Sequence, residues 1–232
     1  MNSNVNLDSV MGALGFLGSC LVLLVLALFA AHALWARKFW RARAAALAAA
    51  ALVLIYAALL LGFSLASGER VLAAGEEKYF CELDCHLAYS VASVRRTKTL
   101  GGGADRVTAG GEFYVVTLRT RFDENTITPT RGDVPLTPNP RRVTVHDADG
   151  RAYEISDEGQ RALASEGGPG RPLSTPLRPG EAYTTGLVFD LPEGARDPVL
   201  LLNEEMLATR FIVGHENSPM HKKTKFRLAP PA

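Results

Sequence analysis

The chain has 232 residues, of which 47% are hydrophobic, and its 25 basic and 24 acidic residues give a formal net charge of +1. A chain of this length usually forms one or two domains. The balanced charge, with no basic stripe, argues against a nucleic-acid partner.

Two long stretches near the N-terminus carry no charged side chain, residues 9–36 and 44–68. Each exceeds the run of about 20 apolar residues that spans a bilayer. The first is too long for the apolar core of a cleaved signal peptide, and no Lys or Arg precedes it. We therefore expect a transmembrane helical hairpin over residues 1–68, with helices at about 10–35 and 44–67.

The turn between the two stretches is strongly basic. It carries Arg37, Lys38, Arg41 and Arg43. Short basic loops stay on the cytoplasmic side of a membrane. The sequence thus predicts a two-pass protein of the bacterial cytoplasmic (inner) membrane, with both termini and the C-terminal domain in the periplasm.

After a juxtamembrane linker at 69–78, residues 79–232 are typical of an all-β domain. Apolar residues alternate along short runs that end at turn signals such as Asp149-Gly150 and Pro179-Gly180. About seven short strands are expected, the number typical of an immunoglobulin-like (Ig-like) sandwich. Strands after Cys85 are predicted at 112–122, 143–145, 153–155, 183–191, 199–202, 211–213 and 225–228. The side chains expected to face the core are Leu87, Tyr89, Val91, Tyr114, Val116, Leu118, Phe122, Val143, Val145, Leu187, Phe189 and Leu191.

Two segments interrupt this rhythm. Residues 125–140 contain four prolines and cannot form a central strand. Residues 158–172 are rich in glycine, with one helical turn expected at 160–164. Both are predicted to be exposed loops.

The stretch from Leu177 to Leu202 combines a Pro-Gly turn, a strand ending in Val-Phe-Asp-Leu-Pro and a further apolar strand. It resembles a family of bacterial membrane-anchored Ig-like β-sandwich domains of unknown function. The resemblance implies an Ig-like fold tethered to the outer face of the cytoplasmic membrane. It implies little about function, because function depends on sites rather than on folds.

Cys81 and Cys85 are the residues on which a chemistry would depend. An extended backbone would hold their Cα atoms about 13 Å apart, too far for a bridge, so a disulfide or a shared metal requires a turn at residues 82–84. An oxidising periplasm favours the disulfide. Haem attachment is disfavoured because Cys-x3-Cys-His is one residue longer than the usual motif. Free thiols remain a further alternative.

A copper site is the main alternative to the disulfide. Thiolate, thioether and imidazole ligands together select copper(I). If the last strand lies beside the first, histidine and methionine from the C-terminal stretch could approach the cysteines. The candidate ligands are Cys81, Cys85, His86, His215, Met220 and His221.

No sequence motif of an enzyme is present. We therefore predict a non-enzymatic accessory or interaction module without a cofactor, a subunit or assembly factor of a membrane complex whose partners are the membrane and other membrane-protein subunits. The alternative is a copper-binding protein that serves respiratory oxidase assembly, with the Cys-x3-Cys pair and the C-terminal His and Met residues as ligands.

Overall fold

The computed structural model describes residues 9–82 and 86–228. The chain divides into two units. The described part of the first, the helical unit, comprises residues 9–68 and 206–222. The second, the β-domain, comprises residues 69–205 and 223–228, apart from 83–85.

The helical unit contains two long apolar helices, α1 (Ser9–Trp35) and α2 (Phe39–Ala66). They confirm the predicted pair of apolar helices, although α2 begins earlier than expected. Arg37, in the turn between them, has a left-handed φ of 54°. Small side chains let the helices approach near this turn, since Ala33, Ala42 and Ala45 are buried.

Most of the large apolar side chains of both helices face outward. Both helices are long and apolar enough to cross a membrane. The side chains that are at least half exposed include Leu14, Leu17, Leu21, Leu24, Val25, Leu28, Leu47, Val53, Leu54, Ile55 and Leu65. Monomeric soluble proteins rarely expose apolar patches of this size.

Residues 206–222 belong to the helical unit, and they contain no strand. The predicted strand at 211–213 is wrong. Leu207–Phe211 form a 3-10 helix instead. The carbonyl of Ile212 accepts from the backbone N–H of His215 (3.1 Å) and from the Ser218 hydroxyl (2.6 Å). In a strand, this carbonyl would instead accept a hydrogen bond from a neighbouring strand.

The β-domain contains two sheets. One has the strand order β2-β3-β4-β7 and the other β1-β9-β8-β5-β6. The pairs are antiparallel except for β1 with β9, which is parallel. The strands are β1 (Arg70–Leu72), β2 (Lys78–Cys81), β3 (His86–Leu100), β4 (Val107–Asp123), β5 (Arg141–His146), β6 (Ala152–Tyr153), β7 (Ala182–Leu191), β8 (Val199–Glu204) and β9 (Thr224–Arg227).

Both sheets contribute side chains to one hydrophobic core, which confirms the predicted alternation. All of the residues predicted to face inward on β3, β4, β5 and β7 belong to this core. Phe80, Leu200, Leu202 and Phe226 also belong to it. Period-two alternation is a reliable signal here because one face of each strand packs on the other sheet.

A second, smaller core covers the other face of the four-stranded sheet. It is built by α3 (Asp157–Ser165), which packs Ala162 and Leu163 near Phe113 and Val188. The sequence predicted only one turn of this helix. The N-cap at Ser156, whose hydroxyl accepts from the N–H of Gly159 (3.1 Å), begins it earlier. A Cβ at Gly159 would lie 2.5 Å from Val188 Cγ1, so glycine permits the close packing.

The segment expected to be a linker, residues 69–78, contains β1, whose three residues pair with Thr224, Lys225 and Phe226 of β9. The loop at 125–140 is irregular as predicted, apart from a short 3-10 helix at Glu124–Thr126 and a bridge from Leu136 to Leu177.

Candidate functional site

Cys81, the last residue of β2, has a free thiol in the structure. It is paired directly with His86 of β3, so the two side chains leave the same face of the sheet. The predicted partner, Cys85, lies outside the described residues. The described residues do not support the disulfide, which stays a prediction.

The face that carries Cys81 and His86 is polar. Arg121 forms a bidentate ion pair with Glu77, from Nε to Oε1 (2.8 Å) and from Nη2 to Oε2 (2.7 Å). The Tyr79 hydroxyl donates to Glu77 Oε2 (2.8 Å), and the Tyr79 ring meets the His86 ring edge-on. The hydrogen bonds from Arg121 lower the pKa of Glu77 below its ordinary value, against the effect of burial. This cluster is a fixed charge network beside the cysteine.

The C-terminal candidate ligands lie in the helical unit, whereas Cys81 and His86 lie in the β-domain. His215 and His221 are buried, and Met220 is 72% exposed with a φ of 63°. His215 Nδ1 accepts from the N–H of Asn217 (3.0 Å), and His221 Nδ1 lies 2.7 Å from the carbonyl oxygen of Lys222. The imidazoles therefore take part in local turn structure.

Within residues 9–82 and 86–228, no group of three or more His, Cys, Asp and Glu side chains is arranged to hold a metal ion. The proposed copper site also needs Cys85, which the structure does not describe. The copper site thus remains a prediction.

The most unusual group in the β-domain is a buried arginine. The guanidinium of Arg141 lies 4.4 Å from the centre of the Phe80 ring and 5.7 Å from that of Tyr89. It is ion-paired with Glu82, which also accepts from Asn139. Burial raises the pKa of Glu82, while the charge of Arg141 opposes that rise.

This buried group joins the two sheets. Arg141 is on β5 of one sheet, whereas Phe80 and Tyr89 are on β2 and β3 of the other. The hydroxyl of Tyr89 is buried with no hydrogen-bond partner among the described residues. Stacking on two rings suits arginine, whose planar guanidinium is weakly hydrated. The arrangement fixes where β2 lies, and Cys81 is the last residue of that strand.

Lys78 reinforces the same connection. Its side chain is fully buried, and Nζ donates to the carbonyls of Leu202 (2.7 Å) and Thr224 (3.0 Å) in the five-stranded sheet. A buried ammonium needs such partners, because desolvation is costly. The β-domain thus buries two cations that tie β2 to the facing sheet.

The helical unit holds a second feature, around Phe211. The Phe211 ring stacks on that of Phe16 in α1, with centroids 6.2 Å apart and planes 12° apart. Its carbonyl accepts from the Tyr56 hydroxyl of α2 (2.6 Å). These side chains line an apolar crevice of 240 Å³ that also contains Cys20.

Glycine and serine positions allow this contact. A Cβ at Gly12 would lie 2.8 Å from Ile212 Cγ2 and 3.0 Å from the Val213 oxygen, so α1 needs glycine there. The Ser67 hydroxyl accepts from the N–H of Lys222 (2.8 Å) and donates to the carbonyl of Ser64 (2.6 Å). No periodic pattern in the sequence indicates this packing, because the connection between β8 and β9 consists of turns and one short 3-10 helix.

No protein-family model matches the sequence, and no curated protein sequence matches it. Among solved structures, the chain is similar to MPT63, a secreted protein from Mycobacterium tuberculosis, with a TM-score of 0.40 and 13% identity, over 68% of this chain and 97% of that one. It is also similar to a conserved hypothetical protein from Bacillus anthracis, with a TM-score of 0.42 and 16% identity, over 58% of this chain and 91% of that one. Both TM-scores are low, so the Ig-like family that the sequence resembles remains a prediction.

Proposed function

We propose that the chain is a two-pass protein of the bacterial cytoplasmic membrane that carries an Ig-like interaction domain on the periplasmic side. Its role is that of an accessory subunit or assembly factor of a membrane complex, without a catalytic activity of its own. The observation that carries this proposal is the outward apolar surface of α1 and α2, which is suited to a lipid environment.

The charges at the turn support the orientation. Arg37, Lys38, Arg41 and Arg43 are all exposed around the turn and the start of α2. Trp35 and Trp40 flank the turn and are 84% and 69% exposed, as is typical of an aromatic belt at a membrane interface. The basic end therefore belongs in the cytoplasm, and the chain leaves the membrane after α2 on the opposite side.

A partner within the bilayer is supported by one stripe of α2. Ala44, Ala48 and Ala51 recur at helical spacing, and all three are exposed. Small residues three or four positions apart let a second helix approach closely in a membrane, where association depends on packing. Two helices joined by a short turn also present more surface to a partner than a single anchor would.

The proposal is tested by purification of the full chain from native membranes in mild detergent. We expect one or a few membrane proteins to co-purify in constant proportion. Ala48→Leu should reduce their yield, while Ala50→Leu, an exposed alanine on a different side of α2, serves as the matched control. Equal yields from both variants would contradict the role of this stripe, and a chain that is released from membranes by alkaline carbonate would contradict the anchor itself.

A further inference from the structure

The position of Phe211 along the two helices fixes its depth once the helices span a bilayer. Phe16 lies about 29 Å along α1 from Trp35, and Tyr56 lies about 24 Å along α2 from Trp40, at a rise of about 1.5 Å per residue. The hydrocarbon core is about 30 Å thick. With the two tryptophans at one interface, Phe16 and Tyr56 lie at or just inside the opposite edge of the hydrocarbon. Phe211 contacts both of them.

The residues around Phe211 expose their apolar side chains. Met206 is 50% exposed, Leu207 is 66% exposed and Phe211 is 48% exposed. Arg210, in the same turn, is also exposed. A basic side chain beside large apolar ones is the combination found where a segment lies at a membrane surface, because the guanidinium reaches the phosphates while the apolar groups enter the acyl region.

Internal hydrogen bonds hold this turn in one conformation. The Thr209 hydroxyl donates to the carbonyl of Met206 (2.6 Å) and accepts from Asn217 Nδ2 (2.9 Å). Thr209 itself is buried, while Ala208 and Arg210 on either side of it are exposed. This hydrogen-bonded turn therefore holds the apolar side chains outward, next to the outward apolar surface of α1 and α2.

We propose that Met206–Ile212, here called the interfacial segment, inserts into the headgroup and upper acyl region of the bilayer leaflet opposite the basic turn. Its partner is phospholipid, with Met206, Leu207 and Phe211 among the acyl chains and Arg210 at the phosphates. This inference rests on the proposed function, since it requires α1 and α2 to span the membrane. It adds a third contact with the bilayer, from a part of the chain remote in sequence from the two helices.

The test uses the full chain in vesicles of phosphatidylcholine and phosphatidylglycerol, with and without bromine at acyl carbons close to the headgroup. In a background with Trp35→Phe and Trp40→Phe, Leu207→Trp places one tryptophan on the segment. We expect bromine to remove about half of its emission, because an interfacial segment lies about 5–10 Å into the headgroup and acyl boundary. Val134→Trp, at a residue of the β-domain that is 63% exposed, is the control in the same background.

The native chain, with Trp35 and Trp40 in place, reports separately on the anchor. If the native tryptophans are quenched and Leu207→Trp is quenched no more than Val134→Trp, the proposed anchor stands and the inference is wrong. If the native tryptophans are not quenched, the anchor is wrong and the inference falls with it. If Leu207→Trp does not accumulate, Met206→Trp replaces it in the same experiment. Stronger quenching of the tryptophan on the segment than of Val134→Trp supports the proposal.

Discussion

Arg141 and Glu82 form an ion pair inside the β-domain, with 0% and 2% of their side chains exposed. One partner lies on β5 and the other directly follows β2, so the pair crosses between the two sheets. Its energetic role follows from desolvation, because two buried charges stabilise the fold only while each retains the other.

We expect Arg141→Met to destabilise the β-domain by about 3–5 kcal/mol, because Glu82 would remain as a buried carboxylate without its main partner. The double variant Arg141→Met/Glu82→Leu should recover part of that loss, since Glu204, 3.7 Å from Arg141, still loses that contact. Amide exchange of β4 and β7 in the full chain, held in mild detergent, measures both. A double variant as unstable as Arg141→Met alone would contradict the view that the unpaired charge is the source of the cost.

The ion pair between Glu77 and Arg121 gives a pH dependence with a definite sign. The folded-state pKa of Glu77 is below its ordinary value of 4.5, so its contribution is fully present above that value and is lost as pH falls through the folded pKa. Glu77→Gln should lower stability at neutral pH by about 1–3 kcal/mol, as for hydrogen bonds to charged groups.

The measurement is the unfolding free energy of both proteins between pH 3 and pH 7, a window of roughly the range over which carboxyls titrate. The difference between them should shrink as the solution becomes acidic. Glu181→Gln, at an exposed carboxylate on another turn, is the matched control for the substitution itself. A constant difference across the window would show that Glu77 acts through packing rather than through its charge.

We predict that Gly12 allows residues 206–222 to pack closely on α1. Gly12→Val would place a side chain against Ile212 and Val213, an overpacking of about 1–3 kcal/mol. The packed state of residues 211–218 would then be less stable by that amount, so the segment would open more often. Its amide exchange should be faster by about tenfold to a hundredfold. Gly15→Val is the matched control, since no atom lies within 4 Å of a Cβ placed there. Equal exchange in the two variants would contradict the packing described for α1.

Thiol counting tests whether Cys81 and Cys85 form a disulfide. Cys81 has a free thiol in the structure, and labelling of both Cys20 and Cys81 by a maleimide in the unfolded, unreduced chain would show that the predicted disulfide is absent. Labelling of Cys20 alone would instead establish the disulfide between Cys81 and Cys85 that the sequence predicts. Copper analysis of the folded chain after reduction, with His215→Ala and His221→Ala as variants, tests the alternative site. If the chain binds copper stoichiometrically and either variant releases it, copper binding becomes the proposed function in place of the interaction role.

The sequence predicted the parts of the fold that depend on local patterns. The strands from Glu112 to Phe122 and from Tyr183 to Leu191 were predictable because one face of each packs on the large core between the two sheets, which imposes alternation. The apolar helices were predictable from length and the absence of charge. The short strand β1 was not, because three residues with a parallel partner remote in sequence carry no pattern.

The candidate sites were less predictable, for a physical reason. Arg141 and Glu82 look like ordinary surface charges in the sequence, and only the meeting of two sheets buries them. Phe211 and Val213 alternate as a strand would, yet turns use the backbone groups that a neighbouring strand would need. Tertiary contacts, rather than local preference, decide such positions.

The most direct test of the account is the membrane topology of the full chain. A dual reporter that is active as a phosphatase only in the periplasm and fluorescent only in the cytoplasm is fused after Ala232, and a second copy is placed in the turn at residue 38. The account predicts phosphatase activity for the C-terminal fusion and fluorescence for the fusion in the turn. Cytoplasmic fluorescence from the fusion after Ala232 would contradict it.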